Sequence, residues 1–72
     1  MTRGAHLARL SPVEVRILRL LELGGDWKSK AVALELGADR NVVSRALLDL
    51  CEAGLIDRVS WGVYRIHREA AA

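Results

Sequence analysis

Residues 29–54 read SKAVALELGADRNVVSRALLDLCEAG, and this stretch divides into two helical patterns separated by a glycine turn. The first pattern covers residues 29–36, where apolar side chains recur at helical spacing. Gly37 follows directly and favours the left-handed conformation that ends many helices. The second pattern covers residues 39–53, and the Asp39 carboxylate can cap the free N–H groups of its first turn. The stretch therefore predicts two short helices joined by a tight turn.

The second predicted helix has an apolar side and a side rich in hydrogen-bonding groups. The apolar side has the spacing i, i+3, i+4, i+7 and consists of Val43, Ala46, Leu47 and Leu50. The same periodicity leaves on the other side Arg40, Asn41, Ser44, Arg45 and Leu48. Arginine can bond guanine and asparagine can bond adenine in the major groove of DNA. In isolation an ordinary solvated helix face explains this pattern better, and the rest of the chain reverses that preference.

Length, charge and cysteine content restrict the classes of protein. The 72 residues predict one small domain, and the net charge of +2 permits a nucleic-acid partner without requiring one. The single Cys51 excludes an intramolecular disulfide, and with only His6 and His67 beside it no metal or other cofactor is expected. No apolar run is long enough to span a bilayer, and the N-terminus lacks a signal-peptide core. We therefore expect a cytoplasmic protein without a membrane partner.

The start of the chain predicts an arm followed by a helix. Residues 1–10 form the arm, because clear apolar periodicity begins only at its end. Ser11, Pro12 and Glu14 predict the helix start, since a serine cap, a first-turn proline and a glutamate three residues on form a capping box. The apolar stripe of this helix, with the residues that widen it, consists of Val13, Val15, Ile17, Leu18, Leu20, Leu21 and Leu23. Gly24 and Gly25 are expected to end it.

The remaining segments predict a small sheet. Residues 26–28 indicate a short first strand in which Trp27 packs as a hydrophobic plug. Residues 55–60 and 63–67 are runs with β-branched or aromatic side chains on either side of the turn Ser60-Trp61-Gly62, which predicts a β-hairpin. Tyr64 and Ile66 are expected to face the helices, whereas Arg65 and His67 point outward. Trp61 is left at the tip, where DNA, a partner protein or its own sheet can cover it. Residues 68–72 are expected to form a tail.

The order helix, strand, helix, turn, helix, hairpin resembles the winged helix-turn-helix domain over residues 10–66. The stretch LELGADRNVVSRALLDLCEAGLIDRV, residues 34–59, is similar to the signature of MarR-type transcription regulators. The shared features are an LG turn, a polar cap, a VSRAL-type helix and a GLI-R segment before the wing. The resemblance implies an α+β domain at residues 11–67, with three helices and a small antiparallel β-hairpin wing. It also implies sequence-specific binding of double-stranded DNA by a small transcriptional regulator or phage-type repressor.

In that family the last helix of the motif enters the major groove, and the wing lies along the neighbouring backbone or minor groove. The residues expected at the DNA are therefore Arg40, Asn41, Ser44 and Arg45 of the helix, Lys28 and Lys30 near the start of the preceding helix, and Arg58, Trp61 and Arg65 of the wing. Most such regulators carry further helices for dimerisation or a ligand pocket, and we expect 72 residues to leave no room for either. We expect no small-molecule ligand, and a homodimer on two half-sites is the usual way to gain affinity.

Three other functions fit less well. The Z-alpha domain, which binds left-handed nucleic acid, has a similar layout, but Ser44 and Leu48 stand where it has asparagine and tyrosine, and its wing prolines are missing. A protein-docking role on a winged-helix scaffold is the main alternative, and it is favoured by Leu48 and Trp61. An enzyme is not expected, because the sequence has no Ser/His/Asp or Cys/His grouping at useful spacing and no phosphate-binding glycine loop.

Overall fold

The computed structural model of the chain describes residues 10–67, which form three helices and a three-stranded antiparallel sheet. The helices are α1 (Pro12–Leu21), α2 (Ser29–Leu36) and α3 (Arg40–Glu52). The strands are β1 (Trp27–Lys28), β2 (Ile56–Ser60) and β3 (Val63–Ile66), and β3 lies in the middle of the sheet. The predicted α+β class, with three helices and a hairpin, is confirmed. The predicted first strand also forms and pairs with the hairpin.

The ends of the chain bear on two of the predicted segments. The predicted arm up to residue 9 and the predicted tail at 68–72 lie outside the described residues. Leu10, which the sequence assigned to the arm, is half-buried and packs against the core. The packed unit therefore includes this residue. Across residues 10–67, no helix combines the length and the apolar character that crossing a membrane would need.

The core lies between the three helices and the inner face of the sheet. Its most deeply buried side chains are Ile17, Leu21, Val32, Val43, Leu47, Leu50 and Ile56. Helix α3 contributes four buried residues, at the four positions that its sequence spacing predicts. Burying an aliphatic side chain of this size stabilises the fold by roughly 1.5–3 kcal/mol. These contacts fix the rotation of α3 about its axis, so that its polar side faces away from the core.

Helix α1 begins as predicted and ends earlier than predicted. The Ser11 hydroxyl accepts from the Glu14 backbone N–H at 3.2 Å, and the Glu14 carboxylate accepts from the Ser11 N–H at 2.8 Å, which confirms the capping box. The helix ends at Leu21, and the backbone N–H of Leu23 bonds the Leu20 carbonyl three residues back. This tighter turn directs Leu23 outward, where it is 76% exposed. The expectation that Leu23 widens the apolar stripe is therefore wrong.

The turn between α2 and α3 forms as the sequence predicts. Gly37 ends α2 in the left-handed conformation at a φ of 62°. Asp39 caps α3, because its Oδ1 accepts from the backbone N–H groups of Asn41 at 2.8 Å and Val42 at 3.2 Å. The last carbonyl of α2, at Leu36, accepts from the guanidinium of Arg16 on α1 at 3.0 Å. Side-chain hydrogen bonds thus hold the turn both at the end of α2 and at the start of α3.

The sheet register determines which side chains of the hairpin face the helices. Tyr64 of β3 lies opposite Trp27 of β1 and opposite Arg58 of β2. Tyr64 is buried and Ile66 packs against the core, so the predicted inward side of β3 is confirmed. Trp27 is half-buried and packs against the core, as the plug prediction requires. A register irregularity between Arg58 and Ser60 bends the hairpin just before its tip.

Candidate nucleic-acid interface

The outer side of α3 carries four polar side chains within two helical turns. Arg40, Asn41 and Arg45 are exposed, and Ser44 is half-buried. Within residues 10–67, no hydrogen bond or ion pair engages these four side chains. Their guanidinium, amide and hydroxyl groups are consequently available to an external partner. The sequence predicted all four on this side, and the structure brings them together there.

Charge is distributed unevenly along α3. Arg40 and Arg45 lie in its first half, whereas Asp49 and Glu52 lie in its last turn. The Asp39 carboxylate at the start of the helix already accepts two backbone N–H groups. An anionic ligand is therefore attracted to the first half of the helix and repelled from its end, so that it would meet α3 at its N-terminal turns.

A shallow groove of about 330 Å³ runs between α2 and the start of α3. It is lined by Lys30, Ala33, Leu34, Gly37, Ala38 and Arg40. The lining is mostly apolar and carries a cation from each helix. Lys30, predicted to touch phosphates, is thereby placed beside Arg40 of the α3 surface. The two cations share one groove although they are ten positions apart in the sequence.

The hairpin tip is held against the start of α2. The Ser29 backbone N–H donates to the Gly62 carbonyl at 2.9 Å, and Lys28 lies opposite Val63 in the sheet. The tip is therefore tied to the fold by backbone hydrogen bonds, and Lys28 lies close to it. Local sequence patterns gave no signal for the Ser29–Gly62 bond, because its partners are far apart in the chain.

Two side chains at the tip contact each other. Trp61 is 87% exposed, and the Arg58 guanidinium carbon lies 4.8 Å from the centre of its ring. This distance is within the range of a cation–π interaction, worth about 0.5–1 kcal/mol at an exposed site. The sequence left three possible contacts open for Trp61: DNA, a partner protein or its own sheet. From its own sheet, only the Arg58 guanidinium lies over the ring. The indole otherwise faces outward.

Arg65 does not join Arg58. Because Arg58 lies opposite Tyr64 and Arg65 lies opposite Asp57, alternation places the two arginines on opposite faces of the sheet. The Arg65 Nε donates to the Asp26 carboxylate at 3.1 Å, with both side chains about half exposed. On the same outer face the Asp57 carboxylate lies 3.0 Å from the His67 ring. The outer face therefore carries two carboxylates, each in contact with another side chain, and is a poor surface for a polyanion.

Comparison with known proteins gives no match to this chain, whether family models, curated proteins or solved structures are searched. In the described part of the chain, no cluster of three or more His, Cys, Asp or Glu side chains is placed to hold a metal ion. The candidate site is therefore defined by its own geometry. It comprises the outer side of α3, the groove that Lys30 and Arg40 share, and the tip with Lys28, Arg58 and Trp61.

Proposed function

We propose that the chain is a winged helix-turn-helix protein that binds double-stranded DNA in a sequence-specific manner. In this proposal α3 enters the major groove with its N-terminal turns, and the β2–β3 hairpin is the wing. The observation that carries the proposal is the outer side of α3, where Arg40, Asn41, Ser44 and Arg45 have no partner within residues 10–67. Side chains of these types form the commonest specific contacts to guanine and adenine.

The cations around α3 support the same function. Lys30 lies in the groove beside Arg40, and Lys28 and Arg58 lie near the hairpin tip. Phosphates receive most of the hydrogen bonds between protein and DNA, and such contacts orient a reading helix without carrying sequence information. We assign Arg40 and Arg45 to bases and these flanking cations to phosphates. Arg65 is left out of this set because Asp26 holds it on the other face of the sheet.

The test is fluorescence anisotropy with labelled duplexes of random sequence, at about 50 mM and about 200 mM salt, followed by selection of an enriched site. We expect salt-sensitive binding, because each phosphate that the protein neutralises releases a counterion and adds about 0.9 to the slope of log K against log salt. We also expect a recovered motif. A palindromic motif would indicate a homodimer on two half-sites. Absence of binding at the lower salt concentration would contradict the proposal.

A protein-docking role is the second candidate, and it is favoured by exposed apolar side chains. Leu48 on the outer side of α3 is 47% exposed, and Leu34 beside the groove is 74% exposed. Apolar residues at such positions contribute to many protein interfaces. The DNA measurement separates the two candidates, because a docking module binds random duplex neither tightly nor with strong salt dependence.

A further inference from the structure

The hairpin tip presents an aromatic side chain that is not buried in the core. Trp61 is the most exposed large hydrophobic residue in the described part of the chain, at 87%. Trp27, by contrast, is half-buried, and its indole N–H donates to the Gly24 carbonyl at 3.1 Å. An indole can bury a large apolar area against a partner. Of the two tryptophans, Trp61 is therefore the one whose ring is accessible to another molecule.

The position of Arg58 restricts what that molecule can be. Its guanidinium lies over the Trp61 ring at 4.8 Å, on one of the two ring faces, so a base that approaches that face must displace it. An aromatic side chain that intercalates within a duplex stacks on a base pair at each face. Trp61 can offer only one face unless Arg58 moves. This geometry fits a single base at a strand end, in an overhang or at a junction.

The charge of the tip indicates the same class of ligand. The segment RVSWGV, residues 58–63, contains one arginine and no carboxylate, and Lys28 lies close to it through the β1–β3 pairing. Stacking on aromatic side chains and cations that follow the phosphates are the two features by which proteins bind single strands. The Ser29–Gly62 hydrogen bond of 2.9 Å holds the tip against the fold. A fixed tip needs less ordering when the ligand binds.

We propose that the hairpin tip is a binding site for one unpaired nucleobase next to a DNA duplex. Trp61 stacks on the base with its free face, and Arg58 bonds a phosphate of the same strand. The site deepens the proposed function and rests on it, since it assumes that the chain binds DNA. It adds a ligand class that the outer side of α3 does not recognise, namely a base outside the double helix.

The test compares two DNA probes that differ only in their bases. Both are the same duplex with a short single-stranded overhang, and in one probe the overhang consists of abasic sites. The number of phosphates is therefore equal. Because stacking of one base contributes about 1–3 kcal/mol, we expect the wild-type protein to bind the base-bearing probe about 5- to 150-fold more tightly. The measurement is fluorescence anisotropy at one fixed salt concentration, with the label at the blunt end.

Variants at the tip assign the preference to its two side chains. Trp61→Ala should bind both probes equally, and Trp61→Phe should keep part of the preference because a smaller ring still stacks. Arg58→Ala should weaken binding of both probes and leave the preference in place, since its phosphate is present in each. Circular dichroism should show the wild-type fold in all three variants, because neither side chain belongs to the core.

A spectroscopic measurement reports on stacking directly. In the Trp27→Phe variant Trp61 is the single tryptophan of the chain. We expect its fluorescence to be quenched by the base-bearing probe and to change little with the abasic probe. Thermal melting checks that Trp27→Phe, which removes the bond to Gly24, remains folded. Quenching of equal size with both probes would overturn the proposal.

The remaining outcomes separate this inference from the proposed function. If blunt duplex binds and the two overhang probes bind equally, the tip proposal is overturned and DNA binding stands. If duplex fails to bind and the base-bearing overhang still binds through Trp61, the tip site stands and the role of α3 is wrong. If no probe binds, both the tip proposal and the proposed DNA-binding function are wrong. Sedimentation without DNA detects one competing use of the tip, because self-association that Trp61→Ala abolishes would make a second copy of the chain its partner.

Discussion

Helix α3 and the β2–β3 hairpin present their exposed side chains in different ways. Helix α3 buries four residues against the core, whereas β2 buries only Ile56 and leaves its other four residues exposed. The orientation of α3 therefore depends on apolar burial. The hairpin buries Ile56 and Tyr64, and backbone hydrogen bonds hold it as well, including the β1–β3 pairing and the Ser29–Gly62 bond. Truncation of a buried residue of α3 should therefore lower the free energy of unfolding most. Substitutions of exposed residues on α3 and on the hairpin should differ in how they change the proposed binding to DNA.

The largest expected effect is on the core side of α3. Leu47 is fully buried, so Leu47→Ala should lower the free energy of unfolding by about 2–5 kcal/mol through lost burial and a residual cavity. Leu48→Ala is the matched control, because Leu48 is 47% exposed and its removal should cost within about 0.5 kcal/mol. Urea denaturation measures both. A similar loss in the two variants would mean that α3 is not oriented as described.

The next effect concerns the outer side of α3. Arg45→Ala should weaken binding to the selected DNA site by about 1–3 kcal/mol and relax the preference at one base, while leaving the stability unchanged. Arg19→Ala removes the same charge from the exposed side of α1 and should leave the site preference intact. Anisotropy with the selected site and single-base variants measures the difference. Equal weakening on every sequence would mean that Arg45 contacts phosphate and not a base.

The Asp39 cap of α3 contributes both to stability and to the charge at the start of the helix. Asp39→Ala removes the acceptor of two backbone N–H groups and should lower the free energy of unfolding by about 0.5–2 kcal/mol. Asp39→Asn keeps a capping oxygen and removes a negative charge beside Arg40. It should retain most of the stability and bind DNA more tightly than the wild type. Denaturation and anisotropy on both variants check this, and weaker DNA binding by Asp39→Asn would contradict it.

Helices α2 and α3 and the turn between them were predictable because their signals are local. Gly37 at positive φ, the Asp39 cap and the four buried positions of α3 each follow from residues within a few places of one another. The Ser11 capping box and the two hairpin strands were predictable for the same reason. The error at Leu23 arose where spacing alone continued an apolar pattern past the real end of α1. Periodicity indicates a face and does not determine where the backbone leaves the helix.

The contacts that distinguish the candidate site residues from one another were not predictable, because they join distant segments. The Arg65–Asp26 pair, the Arg16 bond to the Leu36 carbonyl and the Ser29–Gly62 bond each link residues 20 or more positions apart. The sequence therefore assigned Arg58 and Arg65 the same role. The sheet register separates them by placing them on opposite faces. Side-chain alternation along each strand was the signal that could have shown this, but using it requires the strand register, which the structure supplies.

The smallest effect compares these two arginines. Arg58→Ala should weaken DNA binding on all sequences and reduce the salt slope by about one unit, since Arg58 is assigned to a phosphate. Arg65→Ala removes the same charge and should leave the salt slope unchanged. It should instead lower the free energy of unfolding by about 0.2–1 kcal/mol, because its pair with Asp26 is half exposed and screened by solvent.

Asp26→Ala controls for the structural role of that pair and should reproduce the stability loss of Arg65→Ala without a change in the salt slope. The double variant should then be no less stable than either single variant, because both remove the same interaction. Anisotropy over a range of salt concentrations and urea denaturation give the two quantities. If Arg65→Ala flattened the salt slope as much as Arg58→Ala, Arg65 would leave Asp26 for DNA. Both faces of the hairpin would then contact the nucleic acid, and the distinction between them would not hold.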